Sequence, residues 1–330
     1  MDGFAVVYGK ENARQMLTDG IEEVSWSSGR DEIARSATVR LRNASNIKVA
    51  GMLMCFSQKV GGALYHHKNQ FFHGPIIKYE QDEFTNAWEI EAREIGWYLS
   101  KNKGTRPYLK GEAGAELQRY VKSTGIDFRC PALGFSLDER YGTMAHSEII
   151  LDVLQKAYER SGYRYYIDLV RTEKSFYLQV MREGTNTKVP IFVPEQMTSS
   201  TAGYSIEETY TVVTAQKWKD DKIASAVTKT AAGAVKAMGR MEEIIEVGED
   251  EKPETIATQR LKVLSAAKQI KKITVRHEDH TLSGLRSGWL VLTKTDHTSK
   301  WIVVTADSSY KNGTYTVTLE LERRGNSRAE

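Results

Sequence analysis

The sequence predicts a β-rich α+β protein in which two barrel-like β regions flank a smaller α+β middle. Three observations carry this. Apolar and polar residues alternate with period two in several segments of the first hundred positions, as a sheet with one buried face requires. Helical spacing of apolar residues is clearest in the middle third. The last third returns to threonine, tyrosine and valine, which favour strands, and closes on an Asn-Gly hairpin signal.

Taken in order, Glu23-Val24-Ser25-Trp26-Ser27 and Ala37-Thr38-Val39-Arg40-Leu41-Arg42 alternate around a turn at Ser28-Gly29-Arg30. Residues 52–56 form a short apolar run that suits a more buried strand. Residues 70–79 and 86–92 read as strands joined by the polar turn 80–85. Turns this short predict antiparallel pairing. Residues 96–100 suggest a helical turn. Residues 113–123 place Leu117, Tyr120 and Val121 on one helical face, and 147–160 do the same with Ile150, Leu151, Leu154 and Tyr158. The second helix closes at Ser161-Gly162, where glycine accepts the left-handed cap conformation. Strands are expected at 164–169, 176–181 and 188–193.

Beyond these, 204–214, 222–229 and 235–247 read as strands, the last broken by Gly239. A helix is expected over 253–270, with proline in its first turn and the basic run Lys268–Lys272 at its end, where cations favour the helix dipole. Strands at 273–277, 289–293, 301–305 and 314–321 follow, the last two linked through Asn312-Gly313. The expected division is 1–105, 106–200 and 201–330. No short tandem repeat is present.

A chain of 330 residues suits two or three domains, and 40% apolar with 27% charged residues describes an ordinary globular protein. No uncharged apolar stretch reaches the ~18 residues of a membrane span, and the N-terminus lacks a signal-peptide pattern. Two cysteines make neither a disulfide framework nor a cysteine zinc site, so a reducing cytoplasm is expected. A net charge of +3, from 46 basic and 43 acidic residues, argues against specific nucleic-acid recognition.

Catalytic motifs are missing from the sequence. No phosphate-cradling glycine loop, Gly-x-Ser-x-Gly or His-Glu-x-x-His string occurs. His66, His67 and His73 form a suggestive cluster with Glu80 or Asp82 nearby, yet adjacent strand residues point to opposite faces, so a polar loop is the better reading. His277-Glu278-Asp279-His280 reads as an exposed turn. Asp138-Glu139 and Glu249-Asp250-Glu251 are paired carboxylates, read as solvated turns because neighbours in sequence do not span a cleft. Cys130 before Pro131 has no partner histidine and reads as a packed small hydrophobe. Tyr158, Tyr163, Tyr165 and Tyr166 read as core rather than a ligand platform. No catalytic, cofactor-binding or metal residue is assigned, and no cofactor is expected.

The order of segments resembles the baseplate hub proteins of contractile phage tails and phage-tail-like bacteriocins, in the family found in Gram-positive bacteria and their prophages. The resemblance lies in Val24-Ser25-Trp26-Ser27 with Arg35-Ser36-Ala37-Thr38-Val39, and in Phe72-His73-Gly74-Pro75-Ile76-Ile77 with Trp88-Glu89-Ile90-Glu91-Ala92 and Gly96-Trp97-Tyr98-Leu99-Ser100. Met238-Gly239-Arg240 followed by Glu242-Glu243 is similar to the family's tyrosine-glycine-arginine position, with Met238 replacing the tyrosine. Gly288-Trp289-Leu290-Val291 and the hairpin through Asn312-Gly313-Thr314-Tyr315 complete it. The resemblance implies two tail-tube-like β-barrels and a homotrimer that adapts a sixfold tail tube to a threefold central spike, without catalysis. It implies as partners the tail tube protein, the central spike protein, and baseplate-wedge and peptidoglycan-binding tail proteins. Its implied place is the tail baseplate, assembled in the bacterial cytoplasm. Because they join barrel strands, the loops around Gly29, from His66 to Asn69 and from Asp296 to Lys300 are candidate contact loops. The competing readings are a tail-associated peptidoglycan hydrolase and a cell-wall carbohydrate-binding module.

Overall fold

A computed structural model describes residues 4–10, 13–17, 20–42, 47–57, 70–172, 175–219, 222–248, 251–277, 282–294 and 298–323. The β-rich α+β class holds. The first β region contains β1 (Phe4–Lys10), β2 (Ala13–Met16), β3 (Ile21–Gly29), β4 (Ser36–Leu41), β5 (Met52–Ser57), β6 (Gln70–Gln81) and β7 (Trp88–Arg93). In β4 the buried positions are Ala37, Val39 and Leu41, and in β7 Ile90 and Ala92, the spacing that the alternation requires. The hairpin β1–β2, absent from the sequence-based assignment, pairs antiparallel beside β5.

The middle begins with α1 (Trp97–Lys101), β8 (Lys103–Gly104), β9 (Tyr108–Glu112) and α2 (Ala113–Lys122). Next are β10 (Phe128–Arg129), β11 (Ser136–Arg140), β12 (Met144–Ala145), α3 (His146–Ser161), β13 (Tyr165–Arg171) and β14 (Phe176–Arg182). Glu112 caps α2 by accepting from the Ala115 N–H at 2.8 Å, and α3 ends at Gly162 with φ of 71°, the predicted cap. Leu117, Val121, Ile149, Ile150 and Val153 pack on Ile167, Leu169, Leu178 and Val180 to form a separate core. The expected third strand of this meander shrinks to β15 (Ile191–Phe192), which leaves the unit to pair with a distant strand.

The last third departs most from expectation. The single strand expected at 204–214 is two: β16 (Met197–Ser205) and β17 (Val212–Lys219). After β18 (Lys222–Thr230), the segment read as strand begins as α4 (Ala232–Met238), whose alanines favour helix, and becomes β19 (Glu242–Val247) only past Gly239. The helix α5 (Pro253–Leu264) stops before the basic run. Lys268–Lys272 therefore opens β20 (Lys268–His277) and ends no helix, because Ile273 and Val275 bury with strand periodicity. The strands β21 (Leu290–Lys294), β22 (Thr298–Lys311) and β23 (Thr314–Glu322) complete the chain. In the β22–β23 hairpin Asn312 and Gly313 both take positive φ, 50° and 79°, as a two-residue primed turn demands.

Among the described residues both β-rich ends share one thirteen-stranded sheet, ordered β16-β20-β23-β22-β3-β4-β7-β6-β5-β1-β2, with β15 and β21 attached through β22. Two long strands bend it by changing partners midway. Residues 70–75 of β6 pair with β5 and 76–81 with β7. Residues 298–302 of β22 pair with β21 and 305–311 with β3. At the β6 corner a Cβ on Gly74 would lie 1.8 Å from the Arg93 carbonyl oxygen, so only glycine permits that crossing. One core serves both ends: the Trp26 ring packs between Phe71 and Tyr315, and its Nε1 donates to the Ser283 carbonyl at 3.0 Å. The strands β18-β17-β19 form a smaller sheet covered on one face by α5 through Val213, Ala215, Ile245 and Leu264.

Candidate assembly surface

The sequence-nominated polar residues do not converge. Asp138 pairs with Lys110 and accepts from the Tyr108 hydroxyl, while Glu139 pairs with Lys156. Glu251 holds Arg160 at 2.5 Å. Cys130 is largely buried, and that burial, with Glu112 nearby, pushes its thiol up to about 12, far from a thiolate nucleophile at neutral pH. His73 sits against the Phe176 ring. Tyr158 lies under the guanidinium groups of Arg164 and Arg260, and Tyr163 under that of Arg182. Among the described residues no group of three or more His, Cys, Asp or Glu side chains is arranged to hold a metal. His66, His67, Glu249, Asp250 and Glu278 through His280 lie outside the described residues.

Free sheet edges are the dominant surface feature. Among the described residues the strand β16 pairs only with β20, so its other edge is open over nine residues. Thr198 through Ala202 are exposed in succession, on both faces, and Tyr204 is 70% exposed. Its sequence, Met-Thr-Ser-Ser-Thr-Ala-Gly-Tyr-Ser, contains no lysine or proline, the residues that usually protect an edge from pairing. Among the described residues the opposite end of the same sheet is the free backbone edge of β2. The smaller sheet repeats the pattern: among the described residues β18 pairs only with β17, and Trp218 and Ile223, directly opposite in register, stand exposed with Ile244.

The candidate loops fare unequally. The turn at Gly29 is committed inward, because Arg30 binds Glu183 at 2.9 Å and Glu322 at 2.6 Å, all largely buried. Burial works against the Arg30 charge, yet the two carboxylates outweigh it and hold the guanidinium above its ordinary range. Residues 66–69 and 295–297 lie outside the described residues. Thr298 and Lys300, which open β22, are exposed.

Behind these edges, the main sheet, the middle unit and the 282–289 segment meet at a buried charge cluster that sequence reasoning missed. The Glu94 carboxylate accepts from Arg171 at 2.9 Å, lies 3.6 Å from Arg286, and accepts from the Arg35 backbone N–H at 3.3 Å. Arg286 also pairs with Asp168. Arg35 spans the junction by donating to the Phe71, Gly284 and Leu285 carbonyls. Burial, aided by Arg286, pushes Arg35 down to about 9. Three arginines face two carboxylates, so the cluster carries an excess positive charge. A signal for it existed: Arg35 continues the buried phase of Ala37, Val39 and Leu41, Glu94 that of Ile90 and Ala92, and Arg171 that of Ile167 and Leu169.

A family described as YQBQ-like matches residues 24–322. The chain belongs to the YQBQ-like family. No curated protein matches the sequence. Solved structures share the fold of this YQBQ-like chain over nearly its full length. The tail protein from Neisseria meningitidis MC58 superposes with a TM-score of 0.67 at 12% identity, covering 98% of this chain and 97% of that one. The prophage tail protein gp18 from Listeria monocytogenes EGD-e gives 0.59 at 12% identity, with 98% and 95% covered. The E. coli c3393 protein, a type VI secretion component described as structurally similar to T4 tail proteins gp27 and gp5, gives 0.57 at 10%, with 94% and 74% covered. At such identities the likeness is one of fold.

Proposed function

We propose that this chain is a structural component of a tail baseplate: a hub whose three copies form a ring between a sixfold tail tube and a threefold central spike of a contractile particle. The observation that carries this is the pair of open edges at opposite ends of one continuous sheet, β16 and β2, on a fold shared end to end with tail proteins. An edge as long and unprotected as that of β16 is stable against aggregation when a partner strand covers it. A head-to-tail contact that closes after three copies covers both ends of the main sheet in every copy. In this reading the divisions 1–105 and 201–330 supply the two tube-like units, and 106–200 is an outward-facing insert. The tail tube protein, central spike protein, baseplate-wedge components and peptidoglycan-binding tail proteins are its partners, and the particle assembles in the bacterial cytoplasm. Positioning such partners needs no catalytic step.

The test is negative-stain electron microscopy of the purified chain at high concentration, alone and with the tube protein, with mass measured in parallel. Threefold rings with a central hole at three times 37.3 kDa are expected. A monomer that also ignores the tube protein refutes the proposal.

A further inference from the structure

A concavity lies away from the sheet edges, in the middle unit, between α1, the 103–109 segment, α2 and the start of α3. Its volume is about 890 Å³. Two kinds of group line it. Tyr98 and Tyr108 present partly exposed rings, each 38–39% accessible, at its rim. Between them stand Asn102, Lys103, Thr105 and His146. Among the described residues the Tyr98 hydroxyl, the Lys103 ammonium and the Thr105 hydroxyl have no protein partner, and the Asn102 side chain uses only its Nδ2, on the Tyr98 carbonyl. His146 is fixed by a 2.5 Å hydrogen bond between its Nδ1 and the Tyr120 hydroxyl, which leaves Nε2 free. Burial lowers the affinity of that imidazole for a proton, so it serves as a neutral hydrogen-bonding group.

Aromatic faces beside unsatisfied neutral polar groups match a ligand with alternating apolar and hydroxyl surfaces. A sugar ring stacks its C–H face on a tyrosine and turns its hydroxyls to amides, hydroxyls and imidazole. A peptide anchor needs an enclosed apolar pocket, and here the lining is as much polar as apolar. A nucleotide needs a phosphate cradle, whereas the second cation of the lining, Arg119, is already held by Glu116 at 2.6 Å. No carboxylate lines the cleft, and Lys103 is its one unpaired charge among the described residues. We propose that this cleft binds a short glycan bearing a carboxylate, with Tyr98 as the stacking platform and Lys103 as the partner of the acid. The proposal is independent of the ring reading, since it uses none of the sheet edges.

The experiment is calorimetric titration of the full chain with two probes: a neutral N-acetylglucosamine tetramer, and a tetrasaccharide alternating N-acetylglucosamine with N-acetylmuramic acid, which carries the carboxylate. Saturable binding of the acidic probe, tighter than the neutral one, is expected. Tyr98→Ala is expected to weaken it about tenfold, the worth of one aromatic contact. Lys103→Ser is expected to erase the difference between the probes. Both side chains sit at the surface, and unchanged circular dichroism verifies the fold. No binding of either probe at millimolar concentration, equal binding of both, or binding that survives both substitutions overturns the proposal.

Discussion

Replacing Glu94 by Gln tests the junction most directly. The substitution keeps the shape and one acceptor oxygen while removing the charge between Arg171, at 2.9 Å, and Arg286, at 3.6 Å. At an effective dielectric of ~20, a pair of charges ~4 Å apart is worth about 4 kcal/mol, and the desolvation cost no longer incurred by the carboxylate offsets part of the two lost attractions. The arginines remain buried with Asp168 as their only carboxylate. The net loss is expected to be about 3–5 kcal/mol, the range for breaking a buried pair from one side. In a chain of this size that lowers the melting temperature by roughly 4–7 °C. Urea titration followed by tryptophan fluorescence reports the junction directly, because Trp26 binds Ser283, two residues before the carbonyl of Leu285 that Arg35 holds. A loss below about 1 kcal/mol would show that the Leu169 and Phe71 carbonyls suffice for Arg171 and Asp168 suffices for Arg286, and would refute the account of the cluster.

Three further outcomes follow from the geometry. Gly313→Ala places a side chain at φ of 79° with open space around its Cβ, so the cost, about 1–2 kcal/mol, comes from the backbone alone and shows in a shifted urea midpoint. Substituting Ser200 and Ala202 together by Lys charges the free edge of β16 and is expected to abolish ring formation by mass measurement while leaving the monomer's melting within ~0.5 kcal/mol of the parent. Glu322 is buried, which alone would raise its pKa, but Arg30 and Lys268 more than reverse this and depress it. Its contribution is therefore present above the ordinary carboxylate range and is lost as pH falls through the lower folded value. Between pH 6 and 3 the parent's melting temperature should fall more steeply than that of Glu322→Gln. Parallel slopes would contradict the assignment.

The sequence alone determined the local periodicities. Alternation at Ala37, Val39 and Leu41, the helical stripes of α2 and α3, the Gly162 cap and the Asn312-Gly313 turn all follow from short-range stereochemistry, which neighbours a few residues away settle. The same phase, extended one step, already marked Arg35, Glu94 and Arg171 as inward-facing. What it could not supply was their meeting, since their partners lie up to about 250 residues distant along the chain. The errors share that cause. The alternation of Ile273 and Val275 is visible in the sequence, but the start of β20 at Lys268 depends on β16 and β23 on either side of it. The 232–238 helix and the 242–247 strand read as one broken strand because Gly239 marks an interruption without showing that the residues before it are helical. Only the tertiary structure decided that the two β-rich ends share one sheet and one core. The pairing of β22 with β3 joins residues almost three hundred positions apart, and no local preference encodes a contact whose loop-closure entropy is met only by the whole core forming at once.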